Sequence, residues 1–90
     1  MPTLTKTFMI QNKLGLHARA AAQLVKLANS FSSEVTLTAR KQSVNAKSIM
    51  GVLILAASQG TKVVVELVGK DAKEALEAIG TLIENKFGEE

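Results

Sequence analysis

The sequence predicts an α+β fold, an open-faced two-layer sandwich in which helices cover one face of an antiparallel sheet. Three observations lead there. Stretches that alternate apolar and polar residues with period two are interspersed with stretches at helical spacing, in the order β-α-β-β-α-β-α. Only Arg40 and Lys41 separate the second and third β-stretches. So short a connection makes an antiparallel hairpin, because a parallel crossover needs a dozen residues or more. The chain has 90 residues, which is the size of one domain, 1–90.

Each element has its own local reason. Thr3 to Ile10 alternates, with Leu4, Phe8 and Ile10 on one face and Thr5 and Thr7 on the other. It reads as the first strand, and Lys6 interrupts its apolar face as a side chain that can snorkel at a sheet edge. Asn12 to Leu16 is a loop. The first helix runs from Ala18 to Asn29, with Ala21, Leu24, Leu27, Ala28 and Phe31 as its apolar stripe and Arg19, Gln23, Lys26 and Ser30 outside. Ser30, Ser32 and Ser33 supply the turn. The second strand is Glu34 to Ala39, with Val35, Leu37 and Ala39 inward. The third is Gln42 to Ala46, with Val44 inward, after a solvated turn at Arg40 and Lys41.

Ser48 is an N-cap for a short helix reaching Ala56, and Gly60 ends that unit. Thr61 to Val68 is rich in β-branched residues and makes the fourth strand, with Val63, Val65 and Leu67 inward. Asp71, with Glu74 three residues on, predicts a capping box for the last helix. Its buried stripe is Ala72, Ala75, Leu76, Ile79, Leu82 and Ile83. Gly88, Glu89 and Glu90 are expected to fray.

Composition excludes several functional classes. There is no cysteine and one histidine, so neither a disulfide framework nor a zinc centre is expected. No metal or cofactor is expected. Met1 to Lys6 lacks the apolar core of a signal peptide. The longest apolar run, Ile49 to Ala57, is too short for a bilayer, which takes about 20 residues. A cytoplasmic location follows, without membrane insertion. The net charge of +3 suits anionic ligands or acidic partners.

The chemistry concentrates in Asn12-Lys13-Leu14-Gly15-Leu16-His17-Ala18-Arg19. His17 falls where a helix begins. The first N–H groups of a helix lack intrahelical partners and the dipole is positive there, so the end attracts anions, phosphate especially. Arg19, in the same first turn, adds a guanidinium fork. Imidazole is a nucleophile that can hold a group covalently. The pattern is thus a nucleophile beside an anion cradle. A second feature is the Ser48 helix, apolar on all sides. Part of it, Ile49, Met50 and Leu53, is read as a docking surface, with an ordinary core helix as the alternative.

Asn12 to Arg19 resembles the active-site signature of the HPr family, the histidine-containing phosphocarriers of the bacterial phosphotransferase system. Lys47-Ser48-Ile49-Met50-Gly51-Val52 resembles the same family's regulatory serine region. The two stretches stand at the family's usual separation, and the element order matches across nearly the whole chain. The resemblance implies a four-stranded sheet in the order 1-4-2-3 with three helices on one face. It implies that His17 takes a phosphoryl group at Nδ1 from phosphorylated enzyme I and passes it to enzyme IIA domains. Backbone N–H groups of Ala18 and Arg19, with the Arg19 side chain, would hold the phosphate. Ala18 would join Ile49, Met50 and Leu53 at the docking face, and Ser48 would be a regulatory site for an HPr kinase/phosphorylase. Such a protein is a transiently phosphorylated carrier rather than an enzyme, and a monomer is expected.

One position departs from the family pattern. Ala20 stands where the family has proline directly after the arginine. Alanine preserves the helix but leaves its first turn less rigid. It also keeps open a paralogue serving nitrogen regulation. Two other readings compete. A basic α+β domain with a four-stranded sheet resembles an RNA-recognition module, but that module stacks bases on sheet aromatics. Here Phe8, Phe31 and Phe87 all read as core and there is no Tyr or Trp, so no nucleic acid is expected. A purely regulatory protein of the same fold would work through Ser48 without needing His17.

Overall fold

The computed structural model describes residues 2–89. Its elements are β1 (Thr3–Met9), α1 (Ala18–Asn29), β2 (Glu34–Ala39), β3 (Gln42–Asn45), α2 (Ile49–Leu55), β4 (Lys62–Val68), α3 (Ala72–Glu84) and a 3₁₀ turn at Lys86–Gly88. The strands form one antiparallel sheet in the order β1-β4-β2-β3. Both the expected element order and the expected sheet order are found.

The sheet is built on alternation. In β2 the residues Val35, Leu37 and Ala39 are buried, and in β4 so are Val63, Val65 and Leu67. Their register places Leu37 opposite Val65 and Val35 opposite Leu67, so one face of the central pair is continuously apolar. The helices cover that face. From α1 come Ala20, Ala21, Leu24 and Ala28, and from α3 come Ala72, Ala75, Ile79 and Ile83. β1 is an edge strand, and Lys6 lies with its Nζ 5.1 Å from the centre of the Phe8 ring. The stem covers the aromatic while the ammonium stays wet, a cation–π arrangement.

Gly80 lets α3 approach β1. A Cβ there would lie 2.9 Å from Cζ of Phe8. Only hydrogen on that Cα allows the helix to sit directly on the ring.

Three local expectations fail, each because a distant group takes the one assigned locally. Asp71 does stand at the N-cap of α3, but its side chain makes no capping bond. Its carboxylate instead accepts from the Ser32 and Ser33 N–H groups, both at 2.9 Å, and from the Ser33 hydroxyl. The Arg40–Lys41 turn is tight, with φ of 50° and 66°, a conformation that non-glycine residues enter at a cost. Arg40 is not simply solvated there, because its guanidinium donates to the Leu55 carbonyl at the end of α2. Nor is Glu89 loose after Gly88. Phe87 is buried and Glu89 is held by side chains far along the sequence, while Glu90 lies outside the described residues.

Candidate functional site

The loop between β1 and α1 is fixed before it reaches His17. Asn12 is fully buried, and its amide donates to the Gly15 carbonyl at 2.8 Å. The Gly15 N–H returns to the Asn12 carbonyl at 3.1 Å, and Leu16 N–H reaches the Ala57 carbonyl at 2.8 Å. Gly15 has φ of +64°, and a Cβ on it would meet the Ala57 oxygen at 2.4 Å. Glycine is required here twice, for the left-handed conformation and for the close approach. Leu16 then buries, anchoring the last residue before the histidine.

His17 is the N-cap residue of α1, extended at φ −76° and ψ −178°. Its carbonyl starts the helix by accepting from Ala21 N–H at 2.8 Å. Its imidazole does not cap, and the first turn carries no acidic residue. The first-turn N–H groups therefore keep their positive end uncompensated by the helix itself. Arg19 projects into solvent, with 71% of its side chain exposed. Ala18 is exposed beside it.

A carboxylate completes the cluster. Glu89 accepts the contact of His17 Nε2 through Oε2 and the Asn12 amide through Oε1 at 3.0 Å. Arg19 Nη2 lies 4.0 Å from the same Oε2. The Asn12 hydrogen bond, with smaller help from His17 and Arg19, holds the Glu89 carboxyl below the usual carboxylate range, against the opposing effect of burial. Glu89 was absent from the site as the sequence suggested it, and Asn12 stood in it only as a loop residue, without its side-chain bonds. Asn12 reads locally as a turn residue, and Glu89 as part of a loose end. The buried Phe87 that pins the tail was the available signal.

Ser48 sits where expected. Its extended backbone precedes α2 and its hydroxyl accepts from Gly51 N–H at 3.1 Å. It is not brought to His17. Asn29, at the far end of α1, donates to the Lys47 carbonyl at 3.2 Å. The two regions therefore stand at opposite ends of α1, whose 12 residues span about 18 Å.

The apolar surface of α2 divides by helical period. Val52 and Leu55 are buried, whereas Ile49, Met50 and Ile54 are exposed. Leu53 is half-buried and packs against the core, so it is less available than the sequence suggested. Leu14 and Ile54, at 65% and 60% exposure, are more available and had not been singled out.

A small α+β domain that presents one histidine at a helix N-terminus, beside an arginine, has the architecture of a phosphoryl carrier. The family model described as "PTS HPr component phosphorylation site" matches residues 4–85. The chain belongs to the HPr family, the phosphocarriers of the phosphotransferase system. It is 49% identical over 87 residues to the phosphocarrier protein HPr of Xylella fastidiosa, covering 97% of this chain and 98% of that protein. It is 40% identical over 89 residues to the phosphocarrier protein NPr of Shewanella violacea, covering 99% and 98% of the two chains. The crystal structure of HPr-C-His from Thermoanaerobacter tengcongensis superposes with a TM-score of 0.93 at 48% identity, covering 97% of this chain and 98% of that one. A structure described as an HPr dimer from the same organism gives 0.78 at 49% identity, covering 91% and 94%.

Proposed function

We propose that this chain carries phosphoryl groups in the phosphoenolpyruvate-dependent sugar phosphotransferase system, as one domain spanning 1–90. His17 takes the group from phosphorylated enzyme I and delivers it to enzyme IIA domains. The observation that carries this reading is the extended His17 at the start of α1, with Arg19 two residues on and no acid in the helix's own first turn. A histidine nitrogen attacks phosphorus, the donor's bond to phosphorus breaks, and its electron pair leaves with the donor. Such transfer needs positioning and charge neutralisation, which N–H groups of Ala18 and Arg19 and the Arg19 fork can supply. With one arginine, itself largely exposed, the phosphoryl group is held loosely enough to be passed on.

The sugar branch is the reading adopted, with the nitrogen-regulatory branch as its alternative, since relatives named HPr and NPr both match along nearly the whole chain. The exposed Ile49 and Met50, joined by Ala18 and by Leu53 at its edge, would form the docking face, with Ser48 as a regulatory phosphorylation site at its rim. A kinase/phosphorylase acting on Ser48 would be a further partner. The carrier works as a cytoplasmic monomer in this reading, although several solved relatives are described as dimers. Among the described residues, no helix is long and apolar enough to cross a membrane.

The test is incubation with enzyme I and phosphoenolpyruvate, followed by mass spectrometry. The expected product is one acid-labile phosphate, absent from His17→Ala while that variant's thermal melt stays close to wild type. Arg19→Ala should slow transfer roughly 10- to 100-fold. Arg19→Lys should fall between it and wild type, because lysine keeps the charge and loses the fork. Phosphate on His17→Ala would refute the assignment of the nucleophile.

A further inference from the structure

We infer that Glu89 is a positioning residue for phosphoryl transfer, fixing the tautomer and orientation of His17 through Nε2 so that Nδ1 presents its lone pair. The inference rests on the phosphocarrier reading above and adds a residue to it.

The geometry is a chain of three side chains, two from the loop before α1 and one from the far end of the sequence. Buried Asn12 donates one amide N–H to the Gly15 carbonyl at 2.8 Å and the other to Glu89 Oε1 at 3.0 Å. This leaves Glu89 Oε2 directed at His17 Nε2. The carboxylate is only 12% exposed, and the buried Phe87 pins the backbone two residues before it. Gly88, at φ +75°, turns the chain back toward the loop. An ionised carboxylate has no proton to give, so Nε2 must carry the hydrogen it shares. Of the two ring nitrogens, only Nδ1 then retains a free lone pair. A partner on one imidazole nitrogen sets what the other can do.

The same contact acts after attack. When Nδ1 bonds to phosphorus and the donor leaves with its electron pair, Nε2 keeps its hydrogen. The ring thereby gains a positive charge, with no proton taken up or released. Glu89 faces that N–H, so its attraction strengthens as the charge develops, the condition for an interaction to favour the transition state. The opposite role, a competitor that blocks the phosphate cradle, fits less well. Arg19 touches the carboxylate only at 4.0 Å and remains 71% exposed, so it stays available to a phosphoryl group.

The experiment combines two readouts on wild type, Glu89→Ala and Glu89→Gln. Imidazole ¹⁵N shifts report the tautomer without any partner protein, and stopped phosphorylation by enzyme I and phosphoenolpyruvate reports the rate. Wild type should show the Nε2–H tautomer. Glu89→Ala should give a mixture and transfer about tenfold more slowly, the effect of losing a hydrogen bond to a charged group at a partly wet site. Glu89→Gln, whose amide oxygen still accepts from Nε2–H, should recover the tautomer and part of the rate. An unchanged tautomer or an unchanged rate in Glu89→Ala would overturn the inference. Faster transfer would overturn it too, by showing a competitor. Failure of the phosphocarrier reading is separate, because phosphate would then appear on His17→Ala or be absent from wild type while the ¹⁵N comparison still stands.

Discussion

Asp71 accepts hydrogen bonds from both the backbone N–H of Ser33, at 2.9 Å, and the Ser33 hydroxyl. With Ser32 N–H also bound at 2.9 Å, one carboxylate ties the start of α3 to the turn between α1 and β2. These donors favour the charged form, the Ser33 hydroxyl most, and lower the Asp71 pKa from 3.8 to about 2. A carboxyl whose pKa is lower folded than unfolded stabilises the fold above its unfolded value, and that stability is lost as pH falls through the folded one. Asp71→Asn should therefore be less stable than wild type at neutral pH. The difference should shrink between pH 3.8 and about 2, as followed by chemical denaturation across that range. A difference independent of pH would mean that the carboxylate's charge is not what the serines bind.

Gly15→Ala should be destabilised by about 1–3 kcal/mol, through strain at a left-handed residue and a backbone clash that no side chain can relieve. The obstructing group is the Ala57 carbonyl, 2.4 Å from the added carbon. That carbonyl also accepts from Leu16 N–H, so moving it loosens the residue that anchors His17. Phosphoryl acceptance should slow along with the loss of stability. A variant as stable as wild type in urea would show that the loop can relax elsewhere.

Ala20→Pro should fold and gain roughly 0.4–1 kcal/mol by restricting the unfolded chain. The first helical bond of α1 is the one from Ala21 N–H to the His17 carbonyl, so the Ala20 N–H precedes the intrahelical ladder. Proline forfeits no helix bond at this position. Ala20 is fully buried, so the opposing effect is the fit of the ring. A clear drop in Tm would show that packing around the Ala20 methyl outweighs the entropic gain.

Ser48→Ala should lose about 1 kcal/mol with the cap to Gly51 N–H. Ser48→Asp should keep or raise Tm, since a negative charge at the start of α2 opposes no acidic residue in its first turn. It should nonetheless slow phosphorylation by enzyme I, because a charge beside exposed Ile49 and Met50 must be desolvated when a partner docks. His17 is at the other end of α1, so no direct contact accounts for the slowing. Partial recovery in high salt would mark electrostatic exclusion at the surface. An unchanged rate would leave Ser48 as a structural cap alone.

Much of the fold was legible because sheet and helix faces follow from periodicity within single segments. Val35, Leu37 and Ala39, or Val63, Val65 and Leu67, have to share a face once their segment is extended. The start of α1 was legible for the same reason, since the helical run begins directly after His17, and with it the pairing of His17 and Arg19. The Ser48 cap was legible too, because its partner lies three residues away.

Other features depended on which segments the fold brings side by side. Asp71 had an available local role, reciprocal capping with Glu74. The fold instead placed the Ser32–Ser33 turn against its oxygens, and two N–H groups with a hydroxyl are stronger company than a single first-turn N–H. Arg40 and the end of α2 meet across 15 residues, and His17 and Glu89 across 72. On α2, a uniformly apolar stretch left the inward face undetermined, and packing against the sheet chose Val52 and Leu55. By itself the sequence determined which residues lie on one face of each strand and helix, because backbone geometry repeats every 2 or 3.6 residues. Only the tertiary structure decided which side chain closes on the His17 imidazole, because a hydrogen bond between opposite ends of the chain leaves no periodic trace along it.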